Sequence, residues 1–165
     1  MTLELKSISP DGIPHALAKA ERYRLLNDPA QAESICRDVL AVDPENQHAL
    51  RALILALTDQ FGEHGAADSA REARCHIIRL ADEYERAYYT GIVFERETRA
   101  YLERQNVVRS AAYDGFRQAM EWYERAEQLH PPGNVDAVLR WNSCVRAIER
   151  EQLAPEAREA ELPLE

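Results

Sequence analysis

The chain has 165 residues and a formal net charge of −9, and it contains 25 Ala against 20 Val, Ile and Thr combined, a balance that favours helix over strand. A chain of this length is expected to form one domain burying roughly 70% of its unfolded surface, with no need of metal or disulfide. The acidic balance, with no basic run longer than two residues, argues against nucleic acid; the longest uncharged stretches, such as the 8 residues Ala87 to Phe94, fall far below the roughly 20 of a membrane span.

Taken in order, residues 1–12 form an N-terminal extension with no basic region followed by an apolar one, as a secretory signal would need, so a cytoplasmic protein is expected. Pro14 opens a helical pattern, Asn27-Asp28-Pro29 breaks it, and Asp43-Pro44-Glu45-Asn46 breaks the next. Two helices joined by a short turn make an αα-hairpin, and a third is expected from about Glu45 to Phe61, ended by Gly62 to Gly65. The stretch Gly65 to Glu83 suits a helix with Ala70, Ala73, Ile77, Leu80 and Ala81 inward.

Tyr84, Ala87, Tyr88, Gly91, Phe94, Thr98 and Tyr101 then form an uncharged stripe at spacings of three and four, with Glu95, Arg96 and Arg99 off it. After a bend at Asn106 to Ser110, Ala112, Phe116, Ala119, Met120, Tyr123 and Ala126 form the facing stripe. Pro131-Pro132-Gly133-Asn134 is a stop, and a last helix from about Val135 to Gln152 turns Val138, Trp141, Cys144, Val145 and Ile148 to one side. The acidic tail, residues 153–165, holds too little apolar area to offset its ordering entropy and is expected to be disordered.

Residues 13 to 46 fit a repeat of roughly 34 residues. Ala20 stands at its small first-helix position, Tyr23 at its aromatic, Ala32 at its second-helix alanine and Pro44 at its closing proline; Phe116, Ala119, Tyr123, Ala126, Leu129 and Pro131 reproduce its second-helix half. The chain thus resembles the tetratricopeptide repeat family over roughly residues 13 to 150, with the segment Gly65 to Glu83 a degenerate repeat. Gly91 and Ala119 are 28 apart where the repeat allows about 12, so both helices of the third hairpin are expected to be lengthened by about two turns. The expected fold is all-α: about seven antiparallel helices over residues 13–152, in a short superhelix closed by a capping helix.

The resemblance implies a non-catalytic module, an adaptor or assembly scaffold, that binds a peptide or helix of a protein partner in a concave groove. Carried across, the groove positions are Leu17, Glu21 and Arg24, then His48, Arg51, Leu55 and Thr58, then Tyr88, Ile92 and Glu95. Tyr88 also lies on the uncharged stripe, which would place it inside the hairpin instead. Family members that grip the carboxylate end of heat-shock chaperones use Lys and Asn where this chain has Leu17, Glu21 and Ala52, so that ligand is not expected. Glu21 with Glu95 points to a basic or apolar segment.

Other chemistry finds less support. No phosphate-binding glycine loop or nucleophile elbow occurs, so neither an enzyme nor a cofactor is expected. The Glu-x-x-His spacings at Glu45–His48 and Glu127–His130, with His76 beside Cys75, leave a helical-bundle enzyme or metal protein as the alternative. Cys36 and Cys144 sit among apolar neighbours as small hydrophobes. Trp122 lies off the Phe116–Tyr123 stripe and is expected to pack under the last helix, or else to mark a homodimer surface.

Overall fold

The computed structural model describes residues 3–63 and 66–157. Over these the chain is all-helical, with a 3-10 turn at Pro10–Gly12 followed by seven helices: α1 (Ile13–Leu25), α2 (Pro29–Val42), α3 (Gln47–Thr58), α4 (Ala66–Ile77), α5 (Glu83–Leu102), α6 (Arg109–Leu129) and α7 (Asp136–Arg150). Consecutive helices pack against each other, and α1 also touches α3 and α3 touches α5. Odd- and even-numbered helices therefore form two layers, zigzagging along the molecule. No described helix is long and apolar enough to cross a membrane.

Local chemistry sets the ends. The Asp28 side chain accepts the Gln31 N–H ahead of α2, and Asn46 Oδ1 accepts the Ala49 N–H at 2.9 Å ahead of α3. Asp82 does the same for α5 through Glu85 N–H. Because Asn46 caps at that point, α3 starts two residues later than Glu45; it ends at Thr58, and Phe61 reaches the core from the turn beyond. The helix α1 ends with Asn27 at φ 60°, its N–H bonded to Arg24 O and that of Asp28 to Tyr23 O, so the last carbonyls are satisfied by a left-handed residue that Asn tolerates. Asn46→Ala should cost about 1 kcal/mol, read as a lower urea midpoint at unchanged slope; an unchanged midpoint would mean that α3 is held by packing alone.

One core joins α1 to α5 through Ala20, Ala32, Cys36, Leu50, Leu53, Ile54, Leu57, Phe61, Ala70, Ala73, Ile77 and Leu80, with Tyr23 packed on its edge. Ala20 and Ala32 are fully buried, as helices that approach closely require. Ala81 does not join them: α4 has ended, Ala81 is exposed, and its N–H bonds Gln47 Oε1.

The second core fills the hairpin of α5 and α6 and is closed by α7. The two long helices have 20 and 21 residues, against 13 and 14 in the first hairpin. All six residues of the α6 stripe are buried. Gly91 lets the helices meet: a Cβ there would lie 2.6 Å from Tyr123 Cε1. The buried face of α7 is Ala137, Cys144 and Ala147, rotated from the expected one so that Trp141, Val145 and Ile148 lie at its edges.

The ordered chain continues past α7. Gln152 takes φ 51° and Leu153 N–H bonds Ile148 O, which folds Leu153 back into the second core. Apolar area at Leu153 thus extends the packed unit one residue beyond the expected boundary. Residues 154–157 of the expected tail follow without helix and exposed, and residues 158–165 lie outside the described residues.

Candidate functional site

The odd-numbered helices place a row of polar side chains on one face. His48 Nε2 on α3 lies 2.6 Å from Glu21 Oε1 on α1, and both side chains are about half exposed. One turn along, Arg51 donates to both carboxylate oxygens of Glu85 on α5, at 3.0 and 3.3 Å. At the end of α3, Asp59 accepts from Arg24 at 2.7 Å and also pairs with Arg96 of α5, whose guanidinium bonds Thr58 Oγ1 as well. The half-exposed Glu21–His48 pair contributes little to stability, whereas the Arg24, Asp59 and Arg96 side chains keep only about a fifth to a quarter of their surface exposed.

Of the residues expected there, Glu21, Arg24, His48 and Arg51 share this surface. Leu55 is half-buried against the second core. Tyr88 is half-buried, its ring stacked on Tyr84 at 5.8 Å and tilted to Tyr123 at 6.0 Å, and it also lines a cleft of about 290 Å³ with Asp136, Leu139, Arg140 and Ser143. Leu17 and Thr58 are buried.

Ile92 and Glu95 do not reach the surface. Each is 1% exposed, because α7 lies over that side of α5. Glu95 is instead the centre of a buried polar cluster: Oε2 accepts from the Tyr123 hydroxyl at 2.6 Å, Oε1 accepts from Arg99 Nε at 2.9 Å, and Arg140 stands at 3.6 Å. Arg99 also donates to Ser143 Oγ at 3.0 Å and lies over the Phe116 ring. Burial, reinforced by the Glu95 charge, pushes the Tyr123 hydroxyl far above the ordinary tyrosine range, so it remains a donor.

Asp59, Arg96, Arg99, Arg140 and Ser143 were not expected at this face. The available signal was arginine at one and four positions after Glu95, a spacing that also describes a solvated helix face. A second cleft, about 260 Å³, lies between the ends of α3 and α5 and is lined by Asp59, Arg96, Arg99 and Glu103, among others.

The histidines are separated. His48 faces Glu21 rather than Glu45, His76 Nε2 is 3.3 Å from Glu72, and His130 Nδ1 meets the Glu127 carbonyl, not its carboxylate. Burial lowers the His76 pKa against the opposing pull of Glu72. Among the described residues no three His, Cys, Asp or Glu side chains converge as a metal site would require. Cys36 and Cys144 are buried, and desolvation pushes each thiol up to about 12, which makes them poor nucleophiles at neutral pH.

On the opposite layer, Trp122 does not pack under α7. It lines a cleft of about 390 Å³ with Ile77, Ile78, Thr90 and Leu129, and Arg125 covers its ring at 4.3 Å. The tryptophan at the contact of α6 and α7 is Trp141 of α7, whose Nε1 donates to Glu124 of α6 at 3.0 Å.

Comparison of the chain with protein-family models, curated proteins and solved structures finds no match to any of them.

Proposed function

We propose that this chain is a non-catalytic protein-interaction module, an adaptor or assembly scaffold resembling a short tetratricopeptide array, which takes a peptide or helix of a partner protein across the face of α1, α3 and α5. One observation carries this: three successive odd helices contribute Glu21, Arg24, His48, Arg51 and Tyr88 to a continuous, partly exposed face. A stacked array with a polar inner face is suited to an extended ligand, because each helix adds contacts in register with the next. Arg and Tyr there supply large contact area with directional hydrogen bonds, as binding hot spots do. The histidines, dispersed over separate elements, give the metal-protein alternative no common centre.

The test is a quantitative pull-down from source-cell lysate with the wild type and a His48→Ala, Arg51→Ala variant, the latter shown to be folded by circular dichroism. Loss of a partner with the variant alone is expected. Recovery of the same partners in equal amount would remove the site from this face.

A second surface is favoured by the Trp122 cleft, where Ile78 is 77% exposed beside a half-buried tryptophan. Such a patch suits a second copy of the chain. Light scattering that gives the monomer mass across the accessible concentration range would exclude that homodimer.

A further inference from the structure

We propose that a second copy of the chain docks along the length of α6, the two α6 helices antiparallel about a two-fold axis, with Trp122 of each entering the cleft beside Gly115 of the other. The proposal rests on the homodimer reading of the Trp122 cleft given above and supplies its geometry. Ala111, Gly115, Gln118, Trp122, Arg125 and Leu129 recur at intervals of four and three and so form one stripe down α6. None of them belongs to the buried stripe of the same helix, which faces the second core.

Each end of this outer stripe borders a cleft. Trp122 and Leu129 line the one of about 390 Å³. The other, of about 400 Å³, is lined by Ala111, Gly115 and Gln118 together with Phe94 and Tyr101 of α5. At Gly115 the wall of that second cleft is bare backbone, and the two rings across from it are suited to an aromatic guest.

The order of residues along the stripe selects the occupant. A two-fold axis midway between Gln118 and Ala119 sets Trp122 opposite Gly115 and Leu129 opposite Val108, each pair equally far from the axis. Large therefore meets small, and two exposed apolar side chains, Leu129 and Val108, meet each other. A surface that mirrors itself in this way is what an isologous interface requires.

Opposite charges come together in the same register. Arg125 falls within two residues of Asp114 and Arg117 within one of Glu121, offsets of about 3 Å or less along a helix that an arginine side chain spans. None of these four forms an ion pair with another described residue of its own chain. Arg125 lies over the Trp122 ring, and Arg117 reaches only Met120 Sδ. The remaining charges of α6 stand off the stripe: Glu124 accepts from Trp141 of α7, and Arg109 and Glu127 fall on the far side of the helix from Gln118. The two clefts add Glu83 and Glu97 against Arg74 and Arg86. Acids and arginines thus balance on this face of a chain whose net charge is −9, so two copies can meet there without the repulsion the rest of the surface would impose.

The experiment is sedimentation equilibrium of the full chain over a range of concentrations, with charge-exchange variants of two exposed residues. The wild type is expected to form a concentration-dependent dimer, and Trp122→Ala a monomer. Arg125→Glu alone and Asp114→Arg alone should each weaken the dimer about tenfold, two symmetric ion pairs being replaced by repulsion; the two combined should restore it to within about twofold. Because Cys75 is exposed, cross-linking uses a Cys75→Ser background. There Gln118→Cys, beside the axis, should be joined to its counterpart by a short bismaleimide, and Ser34→Cys on α2 should not.

A monomer at every concentration would remove both the homodimer and this pairing, as would a dimer that survives Trp122→Ala. A dimer lost in Trp122→Ala but indifferent to the charge exchanges and not joined at Gln118→Cys would keep the Trp122 surface and overturn the antiparallel register. A combined variant as weak as the single ones would overturn it too. Dissociation on removal of residues 1–7 would give the cleft to the exposed Leu3 and Leu5 of the second copy and overturn the helix pairing. Should Trp122→Ala fail to fold, the charge exchanges and the cross-link decide alone.

Discussion

Replacing Glu95 by alanine should lower the unfolding free energy by about 2–4 kcal/mol, the largest loss expected from any single polar side chain of this protein. The carboxylate is 1% exposed and accepts from both Tyr123 and Arg99, with Arg140 beside it. Alanine leaves the Tyr123 hydroxyl buried without an acceptor and two arginines facing a cavity. An orphaned buried donor costs about 1–3 kcal/mol by itself. The arginines add less than a fully buried pair would, because each keeps about a third of its surface in water and can rehydrate. Glu95→Gln retains the acceptor for Tyr123 and should cost about half as much. Urea unfolding at neutral pH checks both, and a double-mutant cycle with Tyr123→Phe isolates the hydroxyl–carboxylate coupling. A loss below about 0.5 kcal/mol in Glu95→Ala would mean that α7 is held by its apolar face alone and that Glu95 does not orient Arg99 and Arg140.

A valine at position 91 should be nearly as damaging, costing about 2–3 kcal/mol. Its Cβ would lie 2.6 Å from Cε1 and 2.7 Å from Cδ1 of Tyr123, well inside the closest approach of non-bonded carbon atoms. The ring has no room to retreat: it is fully buried, touches Tyr88, and its hydroxyl is tied to Glu95. In a helix exposed to solvent, replacing glycine would instead stabilise by up to about 1 kcal/mol through reduced backbone entropy. Even Gly91→Ala should therefore destabilise here, and the sign of its effect in thermal unfolding is the decisive readout. In a Tyr123→Ala background the penalty of Gly91→Ala should vanish, since the contact that creates it is gone; persistence of the full cost would place the strain elsewhere.

Both substitutions act where α5, α6 and α7 meet, and this is also where residue pattern alone was least informative. The chain's helices, their turns and most of their inward residues follow from local chemistry. Asn27, Asp28 and Asn46 end and begin helices because their side chains satisfy backbone groups or tolerate left-handed φ. Ala20, Ala32, Gly91 and Ala119 are small where helices approach closely, and the excess spacing between Gly91 and Ala119 corresponds to the lengthened α5 and α6. Glu21, Arg24, His48 and Arg51 were expected on one face only through the tetratricopeptide resemblance, which carries them across as groove positions; in the structure they lie on α1 and α3.

The rest depended on which helix came to lie over which face. Periodicity separates a helix's charged side from its apolar side, but it does not say whether a later helix will cover part of the charged side. Glu95, off the uncharged stripe, had every mark of a solvated glutamate until α7 covered it, and Trp122 every mark of a residue under α7 until it faced α4 and Ile78 instead. By itself the sequence determined an all-helical chain, its helix ends and the close approach within the long hairpin, because these rest on interactions between residues a few positions apart or on one helical face. Only the tertiary structure decided that Glu95 is inside with Arg99 and Arg140 above it, because that depends on a contact between α5 and α7, some 45 residues apart.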